Sequence, residues 1–370
     1  MYFSLEPKIR REDLYDREKE LKELRKALEG GRIVLLTGIR RIGKTSLLRV
    51  FLEENKEHGT PFIFVDCRSF IKKGNMINKN EFNTYILNEL KKTFKESTIK
   101  RIFDSISNIK IPWLEIGLKG EKKSEVTLTQ ALNDLNDLLD KSKKKLIIAM
   151  DEAQYLRFYG SGGTEMLNLL AHAYDHLANI LFILTGSEVG VLHDFLKSDD
   201  PKAPLFGRYL NEIKLERFTK EESFNFLLEG FKQIKIKPNK EEIENAVRIL
   251  DGLVGYLVIY GYTVKQKGNY NDAFEETIKI AEQLVNQELE ELFLKSENYR
   301  LVLLAVAHKM ATFSKIKEYI SLYSGKISNQ TLSNILKSLV KYSFLDVQFE
   351  DGTKKYVIPD PIIEKIILKL

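Results

Sequence analysis

A chain of 370 residues is longer than one domain usually needs, and 43% hydrophobic with 30% charged residues describes a globular protein with a proper core. Its formal charge of +5 permits nucleic-acid contact without arguing for it. No apolar run approaches a membrane span, the opening MYFSLEPKIRRED lacks the apolar core of a signal peptide, and the single cysteine, Cys67, excludes an internal disulfide framework, so a reducing, cytoplasmic setting is expected.

Residues 16–28 read as an amphipathic helix, with Leu21, Leu24 and Leu28 on one face, Asp16 as N-cap and Gly30-Gly31 as terminator. Ile33-Val34-Leu35-Leu36 is an apolar, β-branched run expected to form a strand buried on both faces. It leads into Gly38-Ile39-Arg40-Arg41-Ile42-Gly43-Lys44-Thr45, which fits G-x-x-x-x-G-K-[ST] with no departure. Ser46-Leu47-Leu48-Arg49-Val50-Phe51 then has helical spacing. Strand, glycine loop and helix form the context in which this motif binds nucleotide phosphates. Gly38 and Gly43 let the backbone curl so that successive N–H groups point inward at a helix N-terminus. Lys44 places an ammonium between the β- and γ-phosphates, and Thr45 sets its hydroxyl on Mg²⁺. Arg40 and Arg41 touch either phosphate or protein, and the motif does not choose.

Residues 62–66 read as a second buried strand and 81–94 as a helix. Residues 96–125 have no clear period and suggest an excursion, drawn as a hairpin. A helix over 124–139 carries Leu128, Leu132, Leu135 and Leu139 on its apolar face. Residues 145–150 form a third buried strand ending at Asp151-Glu152. A glycine loop at 160–163 and a helix to about 178 precede a fourth strand, 179–184, which ends at Thr185-Gly186-Ser187; a fifth spans 212–215. Strands alternating with helices mean a parallel sheet covered on both faces, with ligand chemistry at the carboxyl ends of the strands. Asp151 suits the Mg²⁺ shell and Glu152 is placed to polarise water. Ser187 is positioned to hydrogen-bond phosphate or water. Arg208 has two readings, a stabiliser of γ-phosphate charge or a surface ion pair. His172 and His176 share a helix face at metal-ligand spacing, but with no third ligand in view they read as structural.

After Phe218 the strands stop. Thr219-Lys220-Glu221-Glu222 is a capping box opening a helix. Helices over 298–310, 315–321 and 328–342, then strands at 344–347 and 355–358 around Asp351-Gly352, describe a winged helix-turn-helix. The expected fold is α/β: a P-loop NTPase core with a parallel sheet flanked by helices over 1–217, a small helical lid domain over 218–287, and the winged unit over 288–370.

At this point the sequence resembles the archaeal ATPase family, related to the STAND and origin-recognition-like branches of AAA+-related NTPases. The resemblance rests on Thr37 to Leu48 for the P-loop and Ile148 to Gln154 for the Walker B strand. It extends to Leu14 to Leu21 for an N-terminal Arg-Glu box, Thr185-Gly186-Ser187 for the sensor strand, and Leu205 to Arg208 for a pre-strand arginine. Gly252 to Tyr256 is similar to the family's lid turn, and Tyr356 to Pro361 to its closing motif. Asp16 stands where a glycine is usual and Val254 where a proline is usual. The resemblance implies ATP hydrolysis coupled to a conformational switch. It places Arg17 near the adenine and Gly252 and Tyr256 in the nucleotide pocket, beside the phosphate-binding Ile39, Ile42 and Ser46. The cofactors implied are ATP or ADP with Mg²⁺. The partner of the winged unit is either an unidentified protein or double-stranded DNA. Lys326, Lys337 and Lys341 favour DNA; apolar Phe344 and Phe349 favour protein. An origin-recognition-like protein, in which ATP licenses assembly on DNA, is the alternative function, and a small-molecule kinase lacks a recognisable acceptor lid.

Overall fold

Five parallel strands carry the site. The structure, a computed structural model, describes residues 1–30, 32–95 and 127–370. The expected excursion at 96–125 lies outside the described residues, as do Gly31 and Ser124.

Strand β1 (Ile33–Thr37) lies between β4 (Ile180–Gly186) and β5 (Asn211–Lys214), and β3 (Leu146–Asp151) lies between β4 and β2 (Phe62–Asp66), so the order is β2-β3-β4-β1-β5. Every pairing is parallel. Strands β1, β3 and β4 are buried at every residue, which explains their unbroken apolar sequences. Alternation survives in what each side chain meets. Val34, Leu36, Ile147 and Ala149 join one apolar cluster with Leu21 and Leu24 of α1 (Glu18–Gly30) and Leu47 and Phe51 of α2 (Lys44–Glu57). Ile33, Leu35, Ile148 and Met150 join a second cluster. That cluster takes in Phe82 of α3 (Lys79–Lys95), Leu135 of α4 (Leu128–Ser142) and Leu170 of α5 (Thr164–His176). The two-residue period of a strand therefore sorts one hydrophobic run onto two faces.

Several local expectations change. Asp16 is not a helix cap: Asp16 and Arg17 hold positive φ (57° and 76°), and α1 begins at Glu18. Leu28 is only partly buried, and Ala27 takes its place on the buried face with Leu21 and Leu24. Helix α4 is capped by Thr127, whose hydroxyl accepts from Gln130 N–H. An unexpected helix, α6 (Val189–Leu196), follows β4; Val-Gly-Val at its start reads like a strand.

The second half is helical, with α7 (Lys220–Gln233), α8 (Lys240–Leu250), α9 (Val254–Lys267) and α10 (Tyr270–Phe293). The capping box opens α7, with both reciprocal bonds between Thr219 and Glu222. Helix α10 runs unbroken for 24 residues, so the expected boundary between 287 and 288 falls inside it. Then come α11 (Glu297–Ala307), α12 (Phe313–Ser324) and α13 (Asn329–Lys341), and an antiparallel hairpin of β6 (Asp346–Glu350) and β7 (Thr353–Val357). Asp351 and Gly352 both take positive φ at its turn. A last helix, α14 (Pro361–Ile367), was not expected, although its signals were in the sequence: Asp360 as N-cap and Pro361 at its first position. The first apolar cluster is continuous from α1 and α2 through α7–α10 into α11–α14.

Candidate nucleotide site

The P-loop is built by the backbone. Gly43, the N-cap of α2, has φ 98°, a conformation that a side chain would strain, and it aims the first N–H groups of α2 into a cavity of about 600 Å³. Arg40 through Ser46 line that cavity, and so do Glu152 and Ser187. Gly38 and Ile39, expected among the phosphate-binding residues, do not line it. Lys44 is 5% exposed, and its ammonium donates to the carbonyls of Gly38 (2.8 Å) and Ile39 (3.0 Å). Burial lowers its pKa to about 8, against the opposing pull of Glu152 and Asp151.

The carboxylates stand at the end of β3, beside the loop. Thr45 donates its hydroxyl to Asp151 Oδ2 at 2.9 Å. Thr185, at the end of neighbouring β4, donates to Asp151 Oδ1, while its hydroxyl accepts from Glu152 N–H at 3.0 Å. One threonine thus fixes both acidic residues. Burial raises the pKa of Asp151, with the hydrogen bonds from Thr185 and Thr45 working the other way. Glu152 behaves oppositely. Burial disfavours its charge, but Lys44 and hydrogen bonds from Ser187 and Gln154 outweigh that, so its pKa is lowered. Its Oε2 accepts from Ser187 Oγ (2.7 Å), from Ser187 N–H (3.3 Å) and from Gln154. Glu152 itself has φ 53°, a left-handed backbone that turns its side chain toward Ser187.

Thr45 and Asp151 offer hard oxygen donors within hydrogen-bond distance of each other, a donor set that suits Mg²⁺. Among the described residues no group of three or more His, Cys, Asp or Glu is arranged to hold a metal. His172 instead pairs with Asn133 (2.8 Å).

Not every expected residue reaches the cavity. Arg208 is tied to the end of α5: its Nε donates to Asp175 at 3.1 Å, a second nitrogen reaches the same carboxylate, and the third bonds Pro204 O. It does not line the cavity, and its fork is filled by a partly exposed aspartate. Tyr256 also turns away, donating to Asp360 Oδ2 at 2.8 Å, and Gly252 serves the backbone, its carbonyl accepting from Phe218 N–H at 3.0 Å. Arg17 does line the cavity, but as a brace. It donates to Glu20 (3.0 Å) and to the Glu216 carbonyl (2.8 Å) and lies over the Phe218 ring.

Arg40 and Arg41 choose protein as well as cavity. Arg40 pairs with Glu188 (2.8 Å) and lies 3.7 Å from Glu288 on α10. Arg41 pairs with Glu288 (2.6 Å) and lies 3.6 Å from Asp360. Glu188, Glu288 and Asp360 escaped sequence reasoning because nothing in one sequence marks which distant carboxylate meets a P-loop arginine. Thr185, Arg68 and Tyr155 were missed too, the last two as cavity lining. The role of Thr185 was findable, since it immediately precedes Gly186, the last residue of β4, and Ser187.

The model of an ATPase domain predominantly from Archaea matches residues 14–259. The Walker-type ATPase PABY2304 of Pyrococcus abyssi is 38% identical, with 99% of each chain covered and a TM-score of 0.85. The Aeropyrum pernix ORC2 protein, solved in ADPNP–ADP complexes, shares the fold at 16% identity, over 96% of this chain and 94% of that one, with a TM-score of 0.60. No curated protein matches this sequence. Loop, carboxylates, sheet order and matches agree, and the chain belongs to the ATPase domain family found predominantly in Archaea.

Proposed function

We propose that this protein binds ATP with Mg²⁺ in the cavity over the P-loop, hydrolyses it to ADP and phosphate, and uses the change to move its C-terminal half. The observation that carries the reading is the joining of three parts around one cavity: the buried Lys44, the Thr45–Asp151 pair and the Glu152–Ser187 pair. Lys44 would leave the Gly38 and Ile39 carbonyls for the phosphates. Thr45 and Asp151 would hold Mg²⁺, which neutralises charge on the transferred phosphoryl group. Glu152 would orient the attacking water. Its lowered pKa keeps it an acceptor at neutral pH, and Ser187 fixes the oxygen that it presents.

The switch reading rests on the arginines. Arg40 and Arg41 line the cavity and also bind Glu288 and Asp360, so a bound triphosphate competes with those carboxylates for the same guanidinium groups. In this reading 1–217 is the core, 218–287 a lid and 288–370 a winged helix-turn-helix, the last two sharing α10. For its partner we favour protein over DNA. Lys341, at the end of α13, is paired with Asp194 of α6, and a Cβ at Gly190 would come within 2.7 Å of the Lys341 Cα, so that end of α13 packs against the core. Duplex binding that weakens steeply with salt would reverse this preference. The ATPase reading is tested by ATP binding and steady-state turnover in the wild type and Glu152→Gln. Binding in both with turnover only in the wild type is expected; no ATP binding by the wild type would overturn it.

A further inference from the structure

Three cations are buried among the described residues: Lys8, Arg17 and Lys44. Arg17 has a carboxylate, Glu20, at 3.0 Å. Among the described residues neither lysine is ion-paired. Lys8 is 8% exposed, and its ammonium donates only to the Ser4 carbonyl, at 2.6 Å. A buried ammonium without a counter-charge is costly, and a protein keeps one where a ligand brings the anion. Lys44, near Glu152 and Asp151 but paired with neither, is the first case in the nucleotide-site reading above. Lys8 lines the same cavity.

The main chain of Lys8 is anchored at the start of α2. Its N–H donates to Ser46 Oγ at 3.1 Å, and Ser46 lies in the first turn of α2. That turn is where backbone N–H groups of a P-loop cradle the α- and β-phosphates. In the nucleotide-site reading, Glu152 and the Ser187 paired with it stand at the γ end. Tyr15, Phe226 and Tyr262 supply aromatic lining for a base. Lys8 therefore belongs at the join between base and phosphates.

We propose that Lys8 is a second phosphate-binding lysine, delivered by the N-terminal segment to the α-phosphate of the bound nucleotide. The inference rests on the nucleotide-site reading above. An α-phosphate is present in diphosphate and triphosphate alike, so Lys8 sets affinity without distinguishing ATP from ADP. Burial also lowers the Lys8 pKa to about 8, so the unliganded protein bears the cost of this charge.

The test is titration calorimetry of the full chain with ADP, ATP and GDP, on the wild type, Lys8→Met, Lys8→Arg and Lys44→Ala, with melting of each unliganded protein. Lys8→Met should weaken ADP and ATP by the same factor, about tenfold, the value of one charge-assisted hydrogen bond. It should keep the ADP-to-GDP ratio and melt no lower than the wild type, because an uncompensated charge is gone. Lys8→Arg should recover part of the affinity. Unchanged ADP and ATP affinity in Lys8→Met would overturn the inference, whatever its melting temperature. A changed ADP-to-GDP ratio would also overturn it, by moving the contact to the base. If the wild type binds nucleotide and Lys44→Ala does not, while Lys8→Met binds like the wild type, only this inference fails. If the wild type binds no nucleotide, the site reading itself fails.

Discussion

Lys44 folded back on the carbonyls of Gly38 and Ile39 is the residue-scale centre of the account. Lys44→Ala should weaken ATP binding by at least about tenfold, read by titration calorimetry, because it removes a charge-assisted contact to phosphate. Glu152→Gln should keep ATP affinity and lower turnover by about 100-fold or more, while Asp151→Asn should weaken Mg²⁺-dependent binding as well. Exchanged phenotypes would reverse the two roles. The pH dependence follows from burial. Lys44 and Lys8 are both lowered to about 8, and only the ammonium form binds phosphate. ATP affinity should decline above about pH 8, by up to about tenfold per unit for each lysine. Unliganded stability should move the other way. Between the lowered folded pKa and the ordinary 10.5 of the unfolded chain, the unfolded state holds more protons, so stability rises with pH across that window. Denaturant melts at pH 8 and pH 10 check the sign. At this scale the motif residues were legible because spacing and residue type define the chemistry. Arg208 was not, since its choice between phosphate and Asp175 depends on where α5 ends.

Strands and helices explain which parts of the resemblance are chemistry and which are geometry. Asp16 replaces a usual glycine at a position with φ 57°, which glycine adopts without strain. Val254 replaces a usual proline at the first position of α9, where proline is favoured. Asp16 is a backbone matter, whereas the Val254 side chain lines the cavity beside Gly43. The buried strands were readable from their apolar runs, and the hairpin from Asp351-Gly352. Helix α6 was not, because β-branched residues around a glycine carry little helical signal. Helix α14 matters more, since Asp360 at its cap faces Arg41 of the loop. Asp360→Asn keeps an acceptor for the N–H groups of Ile362 and Ile363 but removes the charge opposite Arg41. If that pairing restrains the loop, basal ATP turnover should rise, about fivefold, within the usual range of coupling between sites. Turnover at or below the wild-type value would show that the contact holds the fold and not the switch. Removing residues 297–370 would be a poorer test. Ile362, Ile363, Ile366 and Ile367 of α14 are buried in the cluster that also holds Val285 and Leu289 of α10, so truncation would expose core.

Across the whole molecule, one apolar cluster runs from the sheet through α10 to α14, and one set of carboxylates links the P-loop to the same helices. The order of sheet, helical region, three helices and hairpin was legible because each change of period in the sequence marks a change of architecture. How these regions dock was not, since docking depends on pairs such as Arg41 and Glu288 that lie 247 residues apart. ATP binding is expected to change that docking. It is measured by the distance between spin labels at exposed Glu57 of α2 and exposed Leu322 of α12, each changed to cysteine; the native Cys67 is buried and will not label. In the Glu152→Gln background, expected to hold ATP without turnover, the distance distribution with ATP and Mg²⁺ should differ from those of the unliganded and ADP-bound forms. The same distribution in all three, with ATP binding verified in the labelled protein, would contradict this.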